Sequence, residues 1–397
     1  MQVASNTAAP AAEAPRGRIL AGFFLSGFLT ALLGALLPVW GYHRDPPEFI
    51  TVGNYFLALG AAVIASSPAA RFLLPRAGVS GTLVSACSLA CAALLGLALV
   101  TPPASPYWRI AGLAAMGLAT GLLNTGLLHA ASAGHVRSPA ETAAKAGSLF
   151  GVGCLAATLL VAGTFYAYTV PSILIFMAVA PGLFAGLYAR VRIPVATPGK
   201  QPTLREAFRD FRSPGAVMFA LLLFFQFGNE WSLAGWLPLF LVRRLGISPT
   251  ASLWLLALYW ASLLVGRLAA ALAIGGVRHG RLLGGSVLAA IFGLALLFLT
   301  NNAFGAGTGV VFVGGGFASI YPLVAEKIGR RFPYYNPAFF NGIFSFALMG
   351  GMLAPATLGY YAELAGIGVV MALPLAGTCM VFVLLLLIWL EAKVMGR

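Results

Sequence analysis

The stretch VRIPVATPGKQPTLREAFRDFRS, Val191 to Ser213, decides how the whole chain is read. It carries Pro194, Pro198 and Pro202, then a charged segment, Leu204 to Arg212, suited to a short surface helix. It is the longest polar stretch after the amino terminus, and the sequence on either side of it is apolar nearly throughout. Of 397 residues, 60% are hydrophobic and 9% are charged, against about 25% charged in a soluble domain. So little polar sequence cannot cover a water-soluble core of this size. An ordinary cytosolic enzyme, a disulfide scaffold and a disordered chain are excluded, and a polytopic membrane protein remains.

A bilayer core requires ~20 apolar residues per helix. Working outward from the linker, the runs 19–40, 50–72, 79–100, 107–132, 142–165 and 171–190 precede it. The runs 214–241, 250–275, 282–300, 305–327, 338–361 and 367–391 follow it. The expected fold is therefore an all-α membrane protein of twelve transmembrane helices in two six-helix halves. Its parts are a disordered tail over 1–18, a first bundle over 19–190, a linker over 191–213, a second bundle over 214–391 and a tail over 392–397. The first run is too long for a signal-peptide core and no small-residue cleavage site follows it.

The net charge is +14. The cations stand in the gaps between apolar runs, where they orient a membrane protein, and not in a nucleic-acid motif. With the amino terminus inside, eighteen Lys and Arg fall on the inner side. Only Arg44, Arg109, Arg243 and Arg244 fall outside, and Lys145 and Arg267 lie within spans. Both termini are expected in the cytoplasm, and a bacterial inner membrane is the expected location. Cys87, Cys91, Cys154 and Cys379 lie in apolar runs and read as packing residues. No nucleotide loop, metal motif or nucleophile elbow is present. No enzyme activity, metal or cofactor is expected.

Two halves of six spans joined by a basic loop resemble the major facilitator superfamily. Arg76-Ala77-Gly78 after the second span and Arg278-His279-Gly280 after the eighth resemble its loop motif. Here Pro75 and Val277 replace the usual acid, and Gly266-Arg267 is also a frequent pair there. Three stretches are similar to the fucose permease branch, the sugar:proton symporters. They are Phe224 to Leu237, Leu258 to Leu268, and Ile320-Tyr321-Pro322-Leu323 with the later Gly350 to Pro355. Gly121-Leu122-Leu123-Asn124 matches more loosely. The resemblance implies alternating access around a midplane cavity and proton-coupled uptake of a hexose or related sugar. It also implies a functional monomer whose partners are the solute, protons and the bilayer. The branch's acidic residue is missing from the first span, and Asn124 stands in that neighbourhood of the fourth. A uniporter or exchanger for sugars, and an exporter or flippase of amphipathic compounds, are the alternatives.

Glu230 is the one carboxylate well inside a span. A charge at that depth costs ~3 kcal/mol, so it must pair, protonate or face water. It reads as a proton and hydroxyl acceptor, against a purely structural hydrogen bond. Gln226, Asn229 and Glu230 are expected to form one polar stripe facing a cavity, against interhelical polar contacts. Asn124, Tyr259, Trp260, Tyr321 and Asn341 complete the candidate solute site, with Trp260 as the stacking surface. His129 either shuttles protons or caps a gate. Arg267, Glu141 and Lys145 are gating candidates, the last two spaced as a helix ion pair. Trp40, Trp108, Trp236 and Trp254 stand near span ends and read as interfacial anchors.

Overall fold

A computed structural model describes residues 13–101, 104–133, 139–191, 193, 213–273, 279–332 and 337–394. The first apolar run forms α1 (Glu13–Thr30) and α2 (Leu32–Val39), one pass interrupted at Ala31. The second and third form α3 (Phe49–Leu99), 51 residues long. A straight helix of that length would span about 76 Å, more than twice a bilayer core. It reverses at Gly78, whose φ of 69° places it in the left-handed region glycine tolerates. Arg76 folds back on its own turn there. It donates to the Phe72 carbonyl at 3.2 Å and covers the Phe72 ring.

The rest of the first half is α4 (Pro106–Ala133), α5 (Pro139–Thr164) and α6 (Val170–Ala189). The second half is α7 (Pro214–Leu245), α8 (Pro249–Ala273), α9 (His279–Leu299), α10 (Ala303–Arg331), α11 (Pro337–Ala365) and α12 (Val369–Val394). With α1–α2 as one pass and α3 as two, the described residues make twelve passes. Ten described helices are long and apolar enough to cross a membrane, α3 being counted once among them. The expected linker helix, Leu204 to Arg212, lies outside the described residues.

Local chemistry sets the helix ends. The helices α4, α5, α7, α8 and α11 begin on proline, which has no N–H to leave unsatisfied and a φ ready for a first turn. The Asn302 side chain accepts from the Gly305 N–H and caps α10. At the end of α7, Gly246 has φ 64° and the Ile247 N–H reaches back to the Leu241 carbonyl, a Schellman closure. Outward-facing positions carry Phe176, Leu183 and Leu299, as lipid-facing helices require.

Within the first half α3 packs on α4 and α6, and α1 on α5. Within the second, α7 packs on α11 and α12, and α10 on α8 and α9. The halves meet along three lines, α3 with α11, α5 with α8, and α2 with α7. Twelve passes bring both termini to one end of the bundle, called the terminal end below. The opposite end is the far end. Trp236 departs from the interfacial role expected of it. It is fully buried, donates to the Pro355 carbonyl at 2.8 Å and stacks on Phe56. Helix α7 overruns its predicted end by one turn, which moves Trp236 inward of the interface.

Candidate functional site

A cavity of about 1210 Å³ lies between the halves. It begins under Gly34, Phe56 and Pro355 and reaches Leu20, Ala270 and Glu326 near the terminal end. The far end is closed above it. There Arg243 of α7 donates to Asp45 Oδ1 at 2.8 Å and to the His43 carbonyl at 3.2 Å, both in the turn after α2. The Tyr360 hydroxyl of α11 donates to Asn54 Oδ1 of α3 at 2.6 Å. Below these bonds the backbones touch. A methyl at Gly34 would collide with the Ala234 carbonyl, and one at Gly53 with the Ala356 carbonyl and Gly359. His43 is partly buried beside Arg44 and Arg243, which hold its pKa below the ordinary value of 6.5, burial being the larger cause.

Glu230 sits on the cavity wall at the middle of α7 and is 6% exposed. Its Oε1 stands 3.5 Å from Nη2 of Arg267 on α8. The other terminal nitrogen of Arg267 donates at 3.2 Å to the Gly147 carbonyl of α5. One guanidinium therefore touches a carboxylate of its own half and a peptide oxygen of the other. Facing it from α4 is Asn124, whose Oδ1 accepts from the Ser26 hydroxyl at 2.5 Å. This leaves the amide N–H groups for the cavity. Tyr321 and Lys145 also line the wall.

The expected stripe of Gln226, Asn229 and Glu230 does not form. A step of one residue turns a helix by about 100°, and that rotation carries Asn229 away to α12. Its amide donates to the Thr378 hydroxyl at 3.1 Å, packed against Gly377. Gln226 shares the face of Glu230 but points behind the wall. It is fully buried, and its amide interacts with the Glu230 carboxylate from there. Tyr259 and Trp260 are also removed from the cavity. Tyr259 is fully buried with its hydroxyl 3.4 Å from the Glu230 carbonyl oxygen, and Trp260 packs between Tyr259 and Trp231. Trp231 takes the wall position expected of Trp260. His129 is off the wall as well, with Nδ1 3.0 Å from the Thr125 carbonyl. The side chains of Glu141 and Asn341 lie outside the described residues.

Aromatic side chains that sequence reasoning did not assign complete the wall. Phe56 and Phe150 come from the first half, and Phe227 from the second. Phe150 meets Trp231 edge to face across the halves at 6.2 Å, and Phe227 lies 5.3 Å from Tyr321. Alternation in a membrane helix carries no signal for them, because lipid-facing and cavity-facing phenylalanines read alike. Among the described residues no group of three His, Cys, Asp or Glu could hold a metal ion.

Twelve passes in two halves around a midplane cavity closed at one end are the fold of the major facilitator transporters. In sequence the chain is similar to an uncharacterized MFS-type transporter of Yersinia pestis. The two are 24% identical over 359 residues, 87% of this chain and 88% of that protein. In structure it is similar to the nucleoside transporter NupG, with a TM-score of 0.69 and 14% identity, over 96% of this chain and 99% of that one. An aspartate-to-alanine variant of NupG gives a TM-score of 0.72 at 15% identity, over 94% and 99%. No family model matches.

Proposed function

We propose that this chain is a secondary transporter working by alternating access, which takes up a hexose or related polyhydroxylated solute together with a proton. On this reading the terminal end faces the cytoplasm and the membrane is a bacterial inner membrane. The halves are the six-helix bundles 19–190 and 214–391, and the working unit is a monomer.

The observation that carries the reading is the loose Glu230–Arg267 pair on the cavity wall, at 3.5 Å. A well-made charge-assisted bond is about 2.7–2.9 Å, so each partner retains bonding capacity. A solute hydroxyl can donate to the carboxylate and accept from the guanidinium, while the Asn124 amide offers a donor from the other half. The pair is neutral as a unit and suits an uncharged solute. A proton on Glu230 removes the carboxylate's hold on Arg267, and Arg267 is the group that reaches Gly147 across the halves. Solute and proton therefore act on one cross-half link, which is the requirement for coupling. A potential of 100 mV supplies ~2.3 kcal/mol per charge carried inward, about fiftyfold in accumulation.

The test is counterflow of labelled glucose in proteoliposomes, competed with hexoses, polyols, uridine and amphipathic compounds. Saturable counterflow displaced by hexoses supports the sugar reading. No counterflow of glucose, with labelled uridine exchanged in its place, would move the solute to the nucleosides, the class named for the solved structures above. Exchange of labelled amphipathic compounds in place of both would favour the exporter reading, to which the largely apolar wall also points. Glu230→Gln should keep counterflow and lose accumulation driven by a pH gradient, and unchanged accumulation would remove the proton from the mechanism.

A further inference from the structure

The wall is poorly matched to a bare sugar. A polyol that leaves water must find a partner for each hydroxyl, because an unpaired one costs about 1–3 kcal/mol. Glu230, Arg267 and Asn124 line the cavity at mid-depth, with Tyr321, Ser148 and Lys145 also on its wall. The threonine protons are already spent: Thr30 donates to the Ser26 carbonyl at 2.6 Å and Thr120 to the Met116 carbonyl at 2.8 Å, while Ser319 shares a 2.5 Å bond with Ser286; their oxygens can still accept. Around Glu230, Arg267 and Asn124 stand ring faces and edges from both halves, Phe56, Phe150, Phe227 and Trp231. The volume, about 1210 Å³, also exceeds the ~300–1,000 Å³ of ordinary small-molecule pockets.

We propose that the solute is two-faced, a hydroxylated ring bearing a flat apolar substituent, of the chemical class of an aryl glycoside. Its hydroxyl edge bonds Glu230, Arg267 and Asn124. Its flat body lies among Phe56, Phe150, Phe227 and Trp231, where rings pack offset or edge to face. Both halves hold each face of the solute, Asn124 opposite Glu230 and Phe150 opposite Trp231, so binding draws on groups whose separation changes as the halves rock. The inference rests on the transport reading above and narrows its substrate.

The experiment compares phenyl β-D-glucoside with glucose, each labelled, in counterflow by the full chain in proteoliposomes. Phenyl glucoside is expected to reach half-maximal exchange at a concentration at least tenfold lower than glucose. Phe227→Leu should cut that preference below threefold, and a preference that stays tenfold in this variant would overturn the ring contact. Equal or better exchange of glucose by the unaltered chain overturns the two-faced solute and leaves the transport reading standing. Exchange of neither compound, by protein that retains its thermal unfolding transition, removes the sugar-type site and this inference with it.

Discussion

The two ends of the bundle are built from different contacts. At the far end the bonds run between the halves, Arg243 to Asp45 and His43, and Tyr360 to Asn54. Beneath them glycines let backbones of opposite halves touch. At the terminal end the described ion pairs stay within one half. Arg331 binds Glu391 and Glu326 binds Arg330, and His279 Nε2 stands 3.1 Å from Glu326 Oε2. The Tyr188 hydroxyl reaches the Arg18 carbonyl inside the first half. One end is thus a closed seam between two bodies. At the other, each body is tied to itself while the cavity reaches between them. A rocking-bundle transporter needs this division, since each half must stay rigid while the contacts between halves exchange.

Arg267 is the strongest point at which to break the comparison, because it joins the halves at mid-depth. Arg267→Leu leaves Glu230 buried without its cation and should cost about 3–5 kcal/mol, read as a fall in the thermal midpoint. Combining it with Glu230→Gln should recover most of that loss. If the double variant is no better than the single one, the two groups do not act as a pair. Next in size is the far-end seam. Gly34→Leu forces a side chain into the Ala234 carbonyl, and overpacking of this kind costs about 1–3 kcal/mol. The closed far end should lose population, with cysteine labelling from that side rising at least fivefold and counterflow falling. Labelling at the unaltered level would mean that close backbone approach is not what holds the end shut.

Smaller effects sharpen the picture. Asp45 is 86% exposed, and exposed pairs are worth ~0–1 kcal/mol. Asp45→Asn should therefore raise far-end labelling by no more than about fivefold, and less in high salt. A larger rise would make the ion pair, and not the glycine contact, the main closure. Smallest is the His43 effect. Burial and the cations Arg44 and Arg243 keep its pKa in the closed state below 6.5. The open or unfolded state then binds more protons in the window below 6.5. Closure is favoured in full above pH 6.5 and weakens as pH falls from 6.5 toward the lowered value. His43→Gln should remove this pH dependence from labelling of the far end without altering its level at pH 8.

Most of the fold was legible because a membrane helix must announce itself as an uninterrupted apolar run, and the positions of Pro and Gly mark its ends. The break at Ala31 was not, since Thr30 and Leu32 flank it and no proline or glycine stands at the position itself. The site was legible in one residue more than in its set. Glu230 is conspicuous because a carboxylate at that depth is costly wherever it faces. Asn229 and Trp260 are equally unusual in composition, yet their roles depend on the rotation of α7 and α8 about their axes. Nearly all-round apolar helices carry no amphipathic stripe to reveal that rotation. The far-end latch was hidden for another reason. Asp45 and Arg243 are ordinary loop charges 198 positions apart, and only the packing of the halves makes them neighbours.

The partner that Arg267 finds across the halves is the peptide oxygen of Gly147 and not a side chain. Every residue type supplies that oxygen. The sequence of α5 is therefore at liberty to drift at this position while the handhold persists, provided the new side chain leaves the approach open. Alanine scanning of α5 would pass over it without a signal. Its removal calls for an ester in place of the peptide bond, which weakens the carbonyl as an acceptor and leaves all side chains as they are.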